Sequence, residues 1–178
     1  MARALRYLVI GASGSGKTTL ARVIATRLGL PYTPTDPFYW EPGWKAASPT
    51  RVGKFLEAAL AQPAWVLDGN FDDRREQVWT QADCIVWLDL PWVITVGRVL
   101  ARNVNWALTG ETIWSGNRMT WRRAWSGVRH AARSVRLTRR VYPGDRAAVQ
   151  GPIIVHLTRR GDVAAWVRTL SLAREVGG

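Results

Sequence analysis

The chain has 178 residues, 47% of them hydrophobic, and one cysteine. That is enough for one substantial core, too short for two large domains, and incompatible with an intrachain disulfide framework. A formal charge of +12 points to an anionic partner, and its sign alone does not choose among a small molecule, a nucleic acid and an acidic membrane surface. No long apolar run and no secretory leader is read from the sequence, so no transmembrane association is expected and the cytoplasm is the expected compartment.

In chain order, Arg6 to Ile10 is predicted as a first strand. It runs into Gly11-Ala12-Ser13-Gly14-Ser15-Gly16-Lys17-Thr18, a complete G-x-x-x-x-G-K-T loop. A helix over Lys17 to Leu28 follows, with Leu20, Val23, Ile24 and Leu28 on one face and Gly29 as its stop. A second short strand is expected near Tyr32 to Thr35, and the Pro-, Gly- and Trp-rich stretch Asp36 to Pro49 reads as an ordered irregular loop. Val52, Phe55, Leu56, Ala59 and Leu60 repeat at helical spacing. Trp65 to Leu67 is a third strand, ending in Asp68-Gly69-Asn70. A fourth, Cys84 to Leu88, ends in Asp89-Leu90-Pro91, and Cys84 within it reads as a core thiol. The last strand, Ile153 to Leu157, precedes a helix carrying Val163, Trp166, Val167 and Leu170. Short apolar strands alternating with amphipathic helices imply an α/β parallel sheet covered on both faces, with ligand groups at its C-terminal edge. Residues 1–178 are read as a single domain.

The stretch from Trp92 to Arg140 is different. Ten arginines lie between Arg98 and Arg140, with Glu111 as the only acidic residue. A broadly helical Arg118–Arg140 puts Arg118, Arg122, Arg129, Arg133, Arg136 and Arg140 in a stripe about 60° wide. Trp121, Trp125, Val128, Ala132 and Val135 fall beside it. Gly127 is a candidate bend.

The loop is a phosphate cradle: its glycines expose backbone N–H groups and a helix N-terminus to phosphate oxygens, with Thr19 following on the first turn. Lys17 reaches terminal phosphates, and the Thr18 hydroxyl suits magnesium. ATP and Mg2+ are thus the expected ligands. A second acidic group beside the loop is expected to position the metal; Asp68 is the first candidate, and Asp89 is its rival by pattern. Asp36 is a candidate for orienting a substrate hydroxyl or accepting its proton, with Phe38, Tyr39, Trp40 and Trp44 as candidate ring contacts and Asn70 and Arg74 as further substrate contacts. Arg98 and Arg102 sit four apart, and Arg118, Arg122 and Arg123 form a second possible phosphate clamp. His156, in an apolar strand, reads as a hydrogen-bonded structural residue, and His130 forms no metal or acid–base site.

Taken together, the phosphate loop, Asp36-Pro37-Phe38-Tyr39-Trp40-Glu41-Pro42-Gly43-Trp44, the runs from Trp65 to Phe71 and from Ala82 to Pro91, and Arg98 with Arg102 resemble the small adenylate-kinase-like P-loop proteins often labelled topology modulation proteins. The resemblance implies a P-loop three-layer sandwich with a five-stranded parallel sheet, the strand ending at Asp68 lying next to the one feeding the loop. It also implies a magnesium-associated Asp68, an Asp36 facing the acceptor pocket, and an arginine-rich helical lid. Residues 36–62 are the expected acceptor-side loop and helix, and 98–140 the expected lid and basic region. After Asp68-Gly69 the chain reads Asn70-Phe71-Asp72-Asp73-Arg74 instead of the Phe-Pro-Arg continuation of ordinary adenylate kinases, which leaves the acceptor open.

The leading functional reading is ATP-dependent phosphoryl transfer to a nucleoside, nucleotide or other small hydroxylated metabolite. Nucleic-acid-coupled nucleotide hydrolysis and a non-catalytic nucleotide-binding regulatory module are the alternatives. Monomer and homodimer are both compatible with the sequence.

Overall fold

Strand β1 (Arg6–Gly11) has apolar side chains on both faces because both faces of its sheet are covered. Tyr7 and Val9 enter one core layer, and Leu8 and Ile10 the other. In the computed structural model, which describes residues 5–175, the elements follow in order. They are α1 (Lys17–Leu28), β2 (Tyr32–Thr33), α2 (Asp36–Tyr39), β3 (Trp40–Glu41), β4 (Lys45–Ala46), α3 (Pro49–Leu60), β5 (Trp65–Asp68) and α4 (Arg75–Trp79). Then come β6 (Cys84–Leu88), α5 (Trp92–Thr109), β7 (Thr112–Ile113), β8 (Asn117–Arg118), α6 (Trp121–Ala148), β9 (Ile153–Leu157) and α7 (Arg160–Glu175). Five strands form one parallel sheet in the order β2-β5-β1-β6-β9. The expected sheet and the expected adjacency of β1 and β5 are both observed.

Helices α1 and α7 cover one face through Leu20, Ile24, Leu28 and Leu170, and Cys84 is buried in this layer, as expected. On the other face Leu56, Leu60, Val78 and Trp79 of α3 and α4 pack with Tyr142 of α6. Tyr142 is 1% exposed and meets Trp79 and Trp87 edge-on at 5.6 and 5.5 Å. Each such ring pair contributes about 0.5–1.5 kcal/mol beyond area burial, so the C-terminal half of α6 is anchored to the sheet. Gly29 ends α1 in the left-handed region at φ 67, its N–H donating to the Ala25 carbonyl.

Three expectations change. Asp36–Pro49 is not irregular: α2 is followed by an antiparallel hairpin of β3 and β4, with Gly43 at φ 76 and Trp44 at φ 61 in its turn. The arginine helix begins at Trp121, because Thr120 caps it by accepting the Arg123 N–H. Arg118 therefore belongs to the β7–β8 hairpin and drops out of the stripe. Gly127 does not bend α6. A Cβ there would stand 2.6 Å from Asn103 Nδ2, so its missing side chain lets α5 and α6 close on each other. No helix among the described residues is long and apolar enough to cross a membrane.

Candidate functional site

The phosphate loop is shaped by short-range geometry. Gly11, Gly14 and Gly16 have φ 145, 82 and 99, values that glycine adopts freely and side-chain-bearing residues rarely do. Space adds a second reason at Gly14, where a Cβ would stand 2.2 Å from the Thr95 carbonyl of α5. Ser15 N–H donates to the Ala12 carbonyl (3.1 Å), and Gly11 N–H donates to Asn70 Oδ1 (3.1 Å). Gly16 caps α1 without any side-chain hydrogen bond, leaving first-turn N–H groups for an anion. Gly11 and Ala12 form the buried base of this loop, while Ser13 to Thr19 line a cavity of about 2190 Å³.

Lys17 Nζ donates to the carbonyls of Gly11 (2.8 Å) and Ala12 (3.1 Å), curling back over the loop. Burial lowers its pKa below the usual amine range, against the opposing pull of Asp36 and Asp68. Asp68 ends β5 beside Val9 of β1, and this register brings its carboxylate to the loop. Thr18 Oγ1 donates to Asp68 Oδ2 (2.5 Å), and Tyr32 Oη to Asp68 Oδ1 (3.1 Å). Burial and the Asp68 carboxylate push the Tyr32 phenol well above its usual range, which keeps it a donor. Asp89 goes elsewhere, accepting from Arg139 Nε (2.7 Å) and pairing with His156 Nε2 (3.2 Å). His156 also stacks on Trp87 at 3.9 Å, the structural role the sequence suggested. Of the two candidate aspartates, only Asp68 touches Thr18.

Asp36 opens α2 and lines the same cavity. The residue is exposed along the cavity wall, where neighbouring groups still desolvate its carboxylate. Burial raises its carboxyl pKa and Asp68 adds to the rise, while the charges of Lys17 and Arg102 oppose it. Four charged groups, Lys17, Asp36, Asp68 and Arg102, are thus within electrostatic reach around one space. Arg98 reaches across from α5 to the Ser15 carbonyl (3.1 Å), and Arg102 lies over Trp106 at 4.8 Å.

The far wall is aromatic. Trp40, Trp44, Trp114 and Trp106 form an edge-on chain with centroid separations of 5.6, 6.1 and 5.7 Å, and Arg123 lies over Trp44 at 5.3 Å. The β3–β4 and β7–β8 hairpins are latched together. Asn117 Nδ2 donates to the Glu41 carbonyl (3.0 Å), Trp44 N–H to Asn117 Oδ1 (2.9 Å), Trp44 Nε1 to the Arg118 carbonyl (3.0 Å) and Ser115 Oγ to the Trp40 carbonyl (2.6 Å).

Of the candidate site residues, Tyr39, Trp40, Trp44, Asn70, Arg74, Arg98, Arg102 and Arg123 line the cavity. Phe38 instead stacks on Phe55 of α3 at 4.1 Å, and Arg118 and Arg122 are exposed outside the lining. Asn70 also holds the loop's first glycine, and Arg74 Nη2 ties to the Pro49 carbonyl (3.0 Å). The sequence reading missed Tyr32, Trp106, Trp114, Asn117 and Ser134, the last accepting the Ser13 N–H at 3.3 Å. Trp106 lies one helical turn beyond Arg102, a spacing that carried the signal. Ser134 sits mid-helix and gave none.

No protein-family model and no curated protein matches the chain. Solved structures do. A gluconokinase from Sinorhizobium meliloti superposes with a TM-score of 0.55 at 18% identity, covering 97% of this chain and 94% of that one. A shikimate kinase from Acinetobacter baumannii, in complex with shikimate, gives 0.59 at 17%, covering 97% and 95%. A second shikimate kinase, from Bacteroides thetaiotaomicron, gives 0.56 at 15%, covering 97% and 99%. The fold is that of small P-loop kinases. At such identities the likeness concerns the arrangement of elements.

Proposed function

We propose that this chain transfers the terminal phosphate of ATP to a hydroxyl of a small metabolite. The observation that carries the reading is the convergence, on one cavity, of a phosphate loop whose Thr18 is held by Asp68 with an Asp36 and Arg102 facing it from the acceptor side. The hard oxygen donors of Thr18 and Asp68 suit Mg2+; they would hold it beside the loop, where it would supply positive charge against the charge developing on the transferred phosphate.

Lys17 exchanges its Gly11 and Ala12 carbonyl partners for phosphate oxygens. Arg98 and Arg102 hold the transferring group from above, and Arg123 closes the acceptor side. Asp36 takes the proton of the acceptor hydroxyl as its oxygen bonds to phosphorus and the bond to the ADP oxygen breaks. Residues 1–178 act as one kinase-like domain, with 36–62 forming the acceptor side and 98–140 the lid. The finer affiliation with adenylate-kinase-like topology modulation proteins belongs to the same proposal and rests on the motifs around Asp36, Asp68 and Asp89. A cytoplasmic location accords with the use of ATP and a lone buried thiol.

The test is a screen of hydroxylated acids, sugars and nucleosides for ATP-dependent phosphorylated product. Lys17→Ala should lower product formation by about 10²–10³-fold, the scale of losing one charge-stabilising donor. A broad screen in which wild type and Lys17→Ala yield equal product, or none, overturns the proposal.

A further inference from the structure

Helix α5 shows solvent a face that carries no charge. Its only charged residues, Arg98 and Arg102, line the cavity. By contrast Trp92, Val93, Leu100 and Leu108 are 57%, 64%, 38% and 71% exposed. At 100° per residue, Val93, Leu100 and Leu108 share an arc about 80° wide, opposite Arg102. Helix α6 extends this surface. Asn103 Nδ2 donates to the Ala124 carbonyl (3.2 Å) and abuts Gly127, which locks the two antiparallel helices side by side. With Arg102 and Trp106 of α5 and Arg123 and His130 of α6 turned to the cavity, the rotation of both helices is fixed. Trp121 and Trp125, 52% and 60% exposed, then fall on the side away from the cavity, next to the apolar arc of α5. Along their outer flank Arg122, Arg129, Arg133, Arg136 and Arg140 form a stripe about 60° wide and about 27 Å long.

No carboxylate answers these arginines locally. Helix α5 has no acidic residue, and Asp145, the sole one in α6, is paired with Arg75. Asp72, which shares a small recess with Arg133, Arg136 and Arg140, is also held by Arg75 (2.7 Å).

We infer that this face of the α5–α6 hairpin docks on an anionic lipid bilayer. Aliphatic side chains and tryptophans enter the headgroup boundary, where indole rings are favoured, and the arginine stripe meets lipid phosphates. Three features select this partner. A second copy of the chain would bring two unneutralised cationic stripes together. A nucleic acid would satisfy the arginines and leave Val93, Leu100 and Leu108 in water. A bilayer with acidic headgroups accepts both halves of the surface at once. The side chains that α5 and α6 give to the cavity, Arg98, Arg102, Arg123 and His130 among them, do not belong to this surface, so docking there leaves them unused. The inference is independent of the phosphoryl-transfer reading.

The experiment is co-sedimentation of the full chain with phosphatidylcholine vesicles, with and without phosphatidylglycerol, alongside duplex DNA binding and sedimentation velocity. Binding is expected only to the anionic vesicles, weakening as salt rises. Arg129→Gln/Arg136→Gln should weaken it roughly thirtyfold, about fivefold per arginine. Leu108→Ser/Trp125→Ser, at exposed positions, should weaken it about tenfold or more, and near-UV circular dichroism should verify that both variants are folded. Three results overturn the inference: no anionic-vesicle binding by wild type, vesicle binding indifferent to the Leu108/Trp125 change, or a dimer or DNA complex that uses this face while vesicles do not.

Discussion

The two ends of the cavity are built by opposite strategies. At the phosphate end, a short run of consecutive residues sets its own shape through glycine backbone angles and one neighbouring strand. At the acceptor end, the joining contacts are long-range: the latch ties Glu41 to Asn117, and Trp40 to Ser115, across more than seventy residues. The first end takes its backbone shape from one short segment, with Asn70, Arg98 and Ser134 bracing it from outside. The second exists only once α5 and α6 have folded back to carry the β7–β8 hairpin to the β3–β4 hairpin.

The sharpest way to break this comparison is to remove Asp36, the carboxylate proposed to act on the acceptor. Asp36→Asn should cost about 10²–10⁴-fold in phosphoryl transfer, the range for losing a general base, with ATP binding by calorimetry retained. Equal loss of ATP affinity would mean that the two ends are not separable. Because burial raises the Asp36 pKa above 3.8 and the base acts when ionised, activity should fall as pH drops through a value above the usual carboxylate range. In the opposite direction, the lowered Lys17 pKa should end activity below the usual amine range as pH rises. A kcat/KM profile flat across both limbs contradicts these roles.

A smaller effect is expected at the seam. Gly127→Ala must push Asn103 away, at a cost of about 1–3 kcal/mol for overpacking, seen as a lower Tm and a raised acceptor KM. Asn117→Ala leaves the Trp44 N–H and the Glu41 carbonyl without this partner, costing roughly 1–3 kcal/mol. It should raise acceptor KM while sparing ATP affinity, and an unchanged KM would show that the latch is not part of the acceptor site. The smallest effect belongs to Asp89. Asp89→Asn gives up its pairs with Arg139 and His156, worth up to about 1 kcal/mol of stability each at a partly exposed site, and should keep magnesium-dependent nucleotide affinity, whereas Asp68→Asn should lose it.

The same contrast explains what could be read from the sequence. Strands β1, β5, β6 and β9 declare themselves by continuous apolar runs, and α1 by its amphipathic face and closing Gly29, so the sheet and the phosphate loop were legible. Two-residue strands such as Trp40–Glu41 and Asn117–Arg118 are too short to show a period, so both hairpins were invisible. The start of α6 was readable in principle, since Thr120 is a capping residue three positions before Arg123; the continuing arginine repeat masked it. Choosing between Asp68 and Asp89 depends on strand order, because β5 and β6 flank β1 on either side and both aspartates follow apolar strands.

Helix α6 touches the phosphate loop through Ser134 and the acceptor wall through Arg123. Between those positions lies a span of about 16 Å of unbroken helix. A single rod thus braces both walls of the cavity, meeting Ser13 at one and Trp44 at the other.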